Sequence, residues 1–327
     1  RKMKVDKESL EDFEDDPFIK KVARYRLLHH TQSNFAAGLI PFVRSDGRIH
    51  PTFLLDGTAT GRASSSEPNC FSGDTEILTP SGWVRFDALS PQSMVAQWTP
   101  PSILGGKGGI SFVYSTASVE LDYVGDLVSL QNEHTDLLVT PDHRCLLRNR
   151  KNNHTYVYPA CEYPEDKQQI HAGIYVDGTE HIDPNFIILV CATQADGCLS
   201  NGSGIAFTFS KYRKVERLVT ALEQLKVPYS NIFRAGQHHV YAKTSDVVDR
   251  VYALLGNPKR LGPWILKWDQ QSLKAFADEL TFWDGVHKAR TNYASIFQEN
   301  VDWAQIAYTL TGDRAAIGTY AYSYDAS

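Results

Sequence analysis

The chain has no long hydrophobic run. The longest, Phe186 to Ala192, falls far short of the roughly 20 apolar residues that span a bilayer, so no membrane partner is expected. No basic stretch leading into an apolar core follows Arg1, which removes a secretion signal and points to a cytoplasmic protein. Cysteine is scarce: Cys70, Cys145, Cys161, Cys191 and Cys198 form no Cys-x-x-Cys pair and no zinc spacing, and their odd number argues against a disulfide framework. At most one of them needs a chemical explanation. A net charge of -5 gives no global nucleic-acid signature, although residues 201–300 carry more Lys and Arg than Asp and Glu and leave room for a local basic face. What remains is 42% hydrophobic and 22% charged residues, a globular composition, in a chain of 327 residues that is long enough for two or three domains.

Three stretches differ in character. The first, to about Asn69, opens acidic and continues as a helical pattern from Asp16, a cap, and Pro17, at the first helical position, through Leu28. A turn at Ser45 to Arg48 then leads into an alternating segment, Ile49 to Leu55. The second stretch, Cys70 to Cys161, holds short runs of Val, Leu, Tyr and Thr between turn signals and reads as mostly β. The third, from about His181, alternates helices (Phe186 to Ala195, Lys214 to Lys226, Val247 to Leu255, Ser272 to Trp283) with short strands (Ile205 to Phe209, His239 to Ala242) and reads as α+β.

Thr58-Ala59-Thr60-Gly61-Arg62-Ala63-Ser64-Ser65-Ser66-Glu67-Pro68-Asn69 crowds hydroxyls, a glycine and an arginine into one loop that can donate to a phosphate backbone; by composition alone a polar turn reads the same way. In order, the residues resemble the T-A-T-G-R-x-S-S-x-x-P-N segment of family A DNA polymerases, as do the upstream helix and Gly47 to Pro51. The resemblance implies that Thr60 and Arg62 contact DNA. Its pattern continues past the asparagine with Leu-Gln-Asn, whereas here Cys70-Phe71-Ser72-Gly73 follows. The metal-binding aspartates of that family are missing, so no polymerization is expected.

A cysteine directly after such a break can attack the carbonyl of the residue before it through a five-membered ring, converting amide to thioester. That step needs hydrogen-bond donors and an acid for the departing nitrogen. Between two apolar runs, Thr140-Pro141-Asp142-His143 forms a tight turn that sets Thr140 and His143 on one side, a hydroxyl partner and a proton donor for the amide; a satisfied structural histidine fits the same four residues. The opening Cys70 to Thr79, the runs Gly82-Trp83-Val84 and Tyr123 to Leu130, and Thr140 to His143 together resemble the front half of an intein splicing domain, the Hint fold. That resemblance implies catalysis of splicing by Cys70, Thr140 and His143 without a cofactor. It also implies a partner: a C-terminal intein half with its C-extein, in the same chain or a separate one, because the family's closing His-Asn pair is not found.

One repeat remains. Phe186 to Gly197 and, 88 positions later, Leu273 to Gly285 are apolar helices that end in Asp-Gly. Glycine past the last turn is a common helix stop. An aspartate there faces the negative end of the helix dipole, and a divalent cation between Asp196 and Asp284 would offset that cost. Ala192, Thr193 and Ala195 would let the helices approach closely. These helices resemble the paired motifs of LAGLIDADG homing endonucleases found within inteins. This resemblance implies Asp196 and Asp284 as catalytic metal ligands, Mg²⁺ as cofactor, a double-stranded DNA homing site as partner, and Lys211, Lys214, Lys288 and Arg290 at phosphates.

The expected protein is therefore multidomain: a short α/β polymerase extein fragment (1–69), an all-β Hint domain (70–165) and an α+β LAGLIDADG domain of αββαββ type (181–327), in a bacterial or phage-infected cell. Two other readings stand beside it. The third part is a decayed endonuclease acting as a DNA-binding or structural insert, or the whole is another Hint autoprocessing protein.

Overall fold

The computed structural model describes residue 21, residues 52–54 and 64–66, and residues 70–319 except 91, 102–106, 116–122, 133–134, 150–153, 200–203 and 288–290. The chain divides into two compact units, Arg1–Pro68 and Asn69–Ser327. In the first, Lys21 is helical, and strands β1 (Thr52–Leu54) and β2 (Ser64–Ser66) pair antiparallel with Thr52 opposite Ser66. The cap at Asp16, the turn at Ser45, and Thr60 and Arg62 lie outside the described residues.

The second unit begins with β structure in several small sheets, none of them closed. Strands β3 (Glu76–Thr79) and β4 (Gly82–Arg85) form a hairpin. Its turn is held by Thr79 Oγ1, which donates to the Gly82 carbonyl at 2.8 Å and accepts from the Ser81 amide. Gly82 sits at φ 108°, where a side chain would be strained. β5 (Met94–Thr99) pairs with β6 (Gly109–Tyr114). β7 (Val128–Asn132) and β8 (Thr135–Val139) make a second hairpin. β9 (Arg144–Asn149) lies between β10 (Thr155–Pro159) and β11 (Lys167–Gln169), and β12 (Ile174–Tyr175) joins β6 in parallel.

From residue 184 the order is α1 (Pro184–Asp196), β13 (Gly197–Leu199), β14 (Ile205–Phe209), α2 (Tyr212–Gln224), β15 (Tyr229–Arg234), β16 (Gln237–Ala242), α3 (Asp246–Leu255), α4 (Gln270–Asp284), β17 (Gly285–His287), β18 (Thr291–Tyr293) and α5 (Gln298–Leu310). Local chemistry sets the helix starts. Asp183 accepts from the Asn185 amide with Pro184 at the first position of α1, Ser245 accepts from Val248, and Asp269 accepts from Ser272. Along α2 the buried residues Val215, Leu218, Ala221 and Leu222 recur at helical spacing and place one face on the core. α1 differs: Phe186, Ile187 and Leu189 to Gln194 are all buried, as expected of a helix covered on most sides. Each Leu or Ile so buried contributes about 1.5–3 kcal/mol.

α1 and α4 pack against each other. Their starts are tied by the Ser272 hydroxyl, which accepts from the Ile182 amide at 2.9 Å, and by His181 Nδ1 on Asp269 Oδ2 at 2.9 Å. The four-stranded sheet β13-β14-β16-β15 and the helices enclose one large core, which also takes in Leu78, Ile110 and Tyr175 from the β-rich part. A smaller core of Val139, Cys145, Leu147 and Ala160 lies under β7 to β10.

The glycines that end α1 and α4 are not left-handed helix stops. Gly197 has φ -74° and ψ 137°, Gly285 has φ -100° and ψ 152°, and each helix runs straight into a strand. Glycine is needed for closeness: a Cβ would stand 2.7 Å from Thr193 Cα at Gly197 and 2.0 Å from the Thr281 carbonyl oxygen at Gly285.

Candidate functional site

Cys70 to Ser72 runs antiparallel along the outer edge of β8. The Ser72 amide donates to the Leu138 carbonyl at 2.9 Å, Phe71 bridges Val139, and the Thr140 amide donates to the Cys70 carbonyl at 3.2 Å. This pairing brings the Cys70 amide nitrogen, the nitrogen of its bond to Asn69, to Thr140 Oγ1, which accepts from it at 3.3 Å. The turn after Thr140 is closed by the His143 amide on the Thr140 carbonyl at 3.0 Å. It is pinned from β10 and the residues after it, with Ala160 N on His143 O at 2.8 Å and Cys161 N on Pro141 O at 2.9 Å.

Thr140 is 1% exposed and His143 4%. The Phe71 ring stands edge-on to the imidazole at 4.2 Å and stacks on Phe86 at 5.1 Å, forming an aromatic wall beside Cys70. Burial pushes the His143 ring below the ordinary histidine range, with the Cys70 backbone and Asp142 pulling the other way. Burial and then Asp142 hold the Cys70 thiol above its usual value. Buried His143 Nδ1 has no hydrogen-bond partner among the described residues. At neutral pH the two groups are thus a neutral thiol and a neutral imidazole.

A second cluster forms where α1 and α4 end. Desolvation raises the Asp284 carboxyl above the usual carboxylate range, and the Asp196 charge raises it further, so the two aspartates of the repeat are brought within electrostatic reach of each other. Lys214, from α2, donates to Asp196 Oδ2 at 2.5 Å with its side chain only 12% exposed. It is engaged by a carboxylate and is not a free surface cation. Lys259, which the sequence reading passed over, donates to the Thr193 and Gly197 carbonyls at 2.9 and 2.7 Å, in the field of both aspartates. Burial lowers its pKa. Among the described residues, the positive charge facing these helix ends therefore comes from Lys214 and Lys259. Burial holds the Tyr293 hydroxyl, beside Gln194 and Ser295, above its usual range. Lys211 is exposed just before α2, and Lys288 and Arg290 lie outside the described residues.

No third His, Cys, Asp or Glu joins the two aspartates to make a metal-binding group among the described residues. Two carboxylates at neighbouring helix ends nevertheless suit a hard divalent cation that keeps water and phosphate oxygens as its other ligands. No helix among the described residues is long and apolar enough to cross a membrane.

Residues 1–71 match the DNA polymerase family A. The chain is 43% identical over 53 residues to DNA polymerase I of Lactococcus lactis subsp. cremoris, covering 16% of this chain and 6% of that protein. It is 34% identical over 64 residues to the DNA polymerase of Bacillus phage SP01, covering 20% and 7%. A match of another kind, 24% identity over 299 residues, links 76% of this chain to 41% of the ribonucleoside-diphosphate reductase subunit beta of Aquifex aeolicus. The chain thus spans less than half the length of these curated relatives. Among solved structures, I-DmoI in complex with DNA and Mn is similar over 38% of this chain and 76% of that chain, at 9% identity and a TM-score of 0.30, a score that does not by itself define a shared fold. Residues 1–71 are thus similar to family A DNA polymerases, and a mixed α/β unit follows them.

Proposed function

We propose that Cys70 opens an intein-type insertion in a family A polymerase host and that the insertion carries a DNA endonuclease. One observation carries the first part: at the point where the polymerase match ends, the amide nitrogen of a cysteine is held by a buried threonine hydroxyl beside a buried histidine. In this reading the Cys70 sulfur attacks the Asn69 carbonyl carbon. The C–S bond forms, the C–N bond breaks, the thiol proton passes to His143, and His143 returns it to the departing nitrogen. The step is an isomerization that consumes nothing. Thr140 aligns the nitrogen through its N–H. A C-terminal intein half and C-extein, in the same chain or a separate one, would complete splicing.

The two kinds of relative support an inserted module. The polymerase matches account for about a fifth of the chain at most, whereas the match to a reductase subunit takes in three quarters of it and so must run through the region beyond the polymerase segment. A region shared by hosts of unrelated chemistry is what a mobile insertion leaves behind. For the nuclease, Asp196 and Asp284 would hold Mg²⁺, which would supply an activated water to a phosphodiester of a double-stranded DNA homing site. Lys214 and Lys259 would balance the charge of the aspartates and of the incoming phosphate, with Lys211, Lys288 and Arg290 at phosphates and Thr60 and Arg62 serving the host polymerase.

Incubating the folded chain with hydroxylamine or excess thiol should release residues 1–69 in a Cys70-dependent manner. A leader that stays attached to folded protein refutes the acyl shift. Mg²⁺-dependent cleavage of DNA carrying the uninterrupted polymerase gene, lost in Asp196→Ala and Asp284→Ala, tests the nuclease. DNA binding without cleavage would instead favour a decayed endonuclease.

A further inference from the structure

Glu279 is a carboxylate in the wrong place for a simple helix pair. It is 5% exposed, one turn before Trp283 in α4, and near Cys191 of α1, whose thiol is held well above its usual value by burial and then by the Glu279 charge. All of its visible needs are met: Arg217 of α2 donates Nε to Oε1 at 2.6 Å and Nη2 to Oε2 at 2.5 Å, and Trp283 Nε1 adds a bond at 2.8 Å. With Glu279 buried but the Arg217 side chain 41% exposed, the carboxylate loses solvent while water still screens the guanidinium, so the pair is a modest source of stability. Its effect is geometric. A bidentate guanidinium fixes direction as well as distance.

What it fixes is the first turn and a half of α2. Arg213 Nη1 donates to the Phe282 carbonyl at 3.2 Å, and the Arg213 and Arg217 guanidinium groups stand 4.6 and 4.7 Å from the centre of the Phe282 ring. Lys214 lies between these anchors, one turn before Arg217, with its ammonium 5.7 Å from the Trp283 ring and bonded to Asp196. We infer that the Arg217–Glu279 pair is a positioning device that locks α2 onto α4 so that Lys214 reaches Asp196. Its importance for cleavage rests on the nuclease reading above; its geometric action does not.

The test uses the full chain with Arg217→Met/Glu279→Leu, an apolar replacement of both partners, and Glu279→Gln as the milder variant should the double variant fail to fold. Competitive acylation with limiting acetic anhydride, read by peptide mass spectrometry, compares Lys214 with exposed Lys211 and half-buried Lys259. The expected result is a folded variant, its thermal midpoint lowered because buried Trp283 Nε1 loses its acceptor, in which Lys214 labelling climbs severalfold towards that of Lys211 while Lys259 stays protected. Where the wild-type chain cleaves DNA, the same variant should lose kcat with KM little changed. A folded variant in which Lys214 remains as protected as in the wild type overturns the positioning role. A wild-type chain that does not cleave overturns the nuclease reading instead, and the labelling result separates the two.

Discussion

Removing the Thr140 hydroxyl should slow release of residues 1–69 without unfolding the protein. Thr140→Val keeps the shape of the side chain and takes away the atom that accepts from the Cys70 amide at 3.3 Å. Thr140 is 1% exposed and Cys70 is half-buried, so the orphaned N–H is only partly resupplied by water. Leaving a buried donor unpaired costs about 1–3 kcal/mol. To the extent that this interaction is tighter when the nitrogen is departing than in the resting amide, the cost falls on the barrier. At about 1.4 kcal/mol per decade, the rate of hydroxylamine-induced release should then fall roughly 5- to 150-fold. Thr140→Ser, which keeps the oxygen, should stay within a few-fold of wild type. The assay follows the leader by gel or mass spectrometry over time, with circular dichroism as the control for folding. A folded Thr140→Val protein that releases its leader at the wild-type rate would mean that the hydroxyl is structural and that the argument from the amide contact is wrong.

Asp142→Asn removes a charge that holds up the Cys70 thiol, so Cys70 should be alkylated faster by iodoacetamide at pH 8, with exposed Cys161 and Cys198 as unchanged internal references. His143 is depressed by burial from its ordinary 6.5, so the unfolded chain binds the proton more readily. The stability this neutral ring supports is therefore lost as pH falls through 6.5 towards the folded value, and His143→Phe should flatten the thermal midpoint between pH 7.5 and 5 relative to wild type. Asp284 is shifted the other way: its charge is disfavoured in the fold, so wild-type stability falls as pH rises from 3.8 through the raised folded value. Asp284→Asn should raise the thermal midpoint at pH 7 in the absence of divalent cations, with the gain vanishing on acidification, while abolishing any DNA cleavage; a midpoint lowered at pH 7 would contradict the assignment of burial as the cause.

The elements that the sequence announces are those whose residues carry their own periodicity or caps. The helix read at Phe186 to Ala195 is found as Pro184–Asp196 because Asp183 and Pro184 start it, and Ile205–Phe209 is found with the same bounds. Thr140 and His143 were legible as neighbours because a four-residue turn fixes them locally. Long-range features were not legible. Lys259 sits in a basic loop beside Arg260 and reads as solvated; only the fold shows it donating into the end of α1. Glu279 and Arg217 look like surface charges on helices, and their pairing is set by how α2 and α4 each pack against α1. The strand β12 joins β6 in parallel across a long stretch of chain, a pairing no local pattern encodes. α5 escaped because it buries Asn300, Trp303, Ala304, Ile306, Ala307 and Leu310 without a clean one-sided stripe.

The two candidate sites do not rest on separate folds, and this has a consequence for how damage spreads. Leu78, Ile110 and Tyr175 of the β-rich part share a core with Trp268, Phe276, Trp303 and Leu310 of the helical part. Backbone bonds cross the same seam: Gly173 N to Thr309 O at 3.0 Å, and Glu180 N to Lys267 O at 2.8 Å. Lys107 adds an ion pair with Asp313 at 3.2 Å. The Cys70 site stands instead on the small core of Val139, Cys145, Leu147 and Ala160, too few apolar residues to hold a fold alone. Loss of the helices therefore reaches Cys70 as loss of folded population, through strands that cannot fill their core otherwise. Loosening the turn at residues 140–143 has no comparable route back, since the helices bury their apolar faces in the large core whether or not that turn is closed.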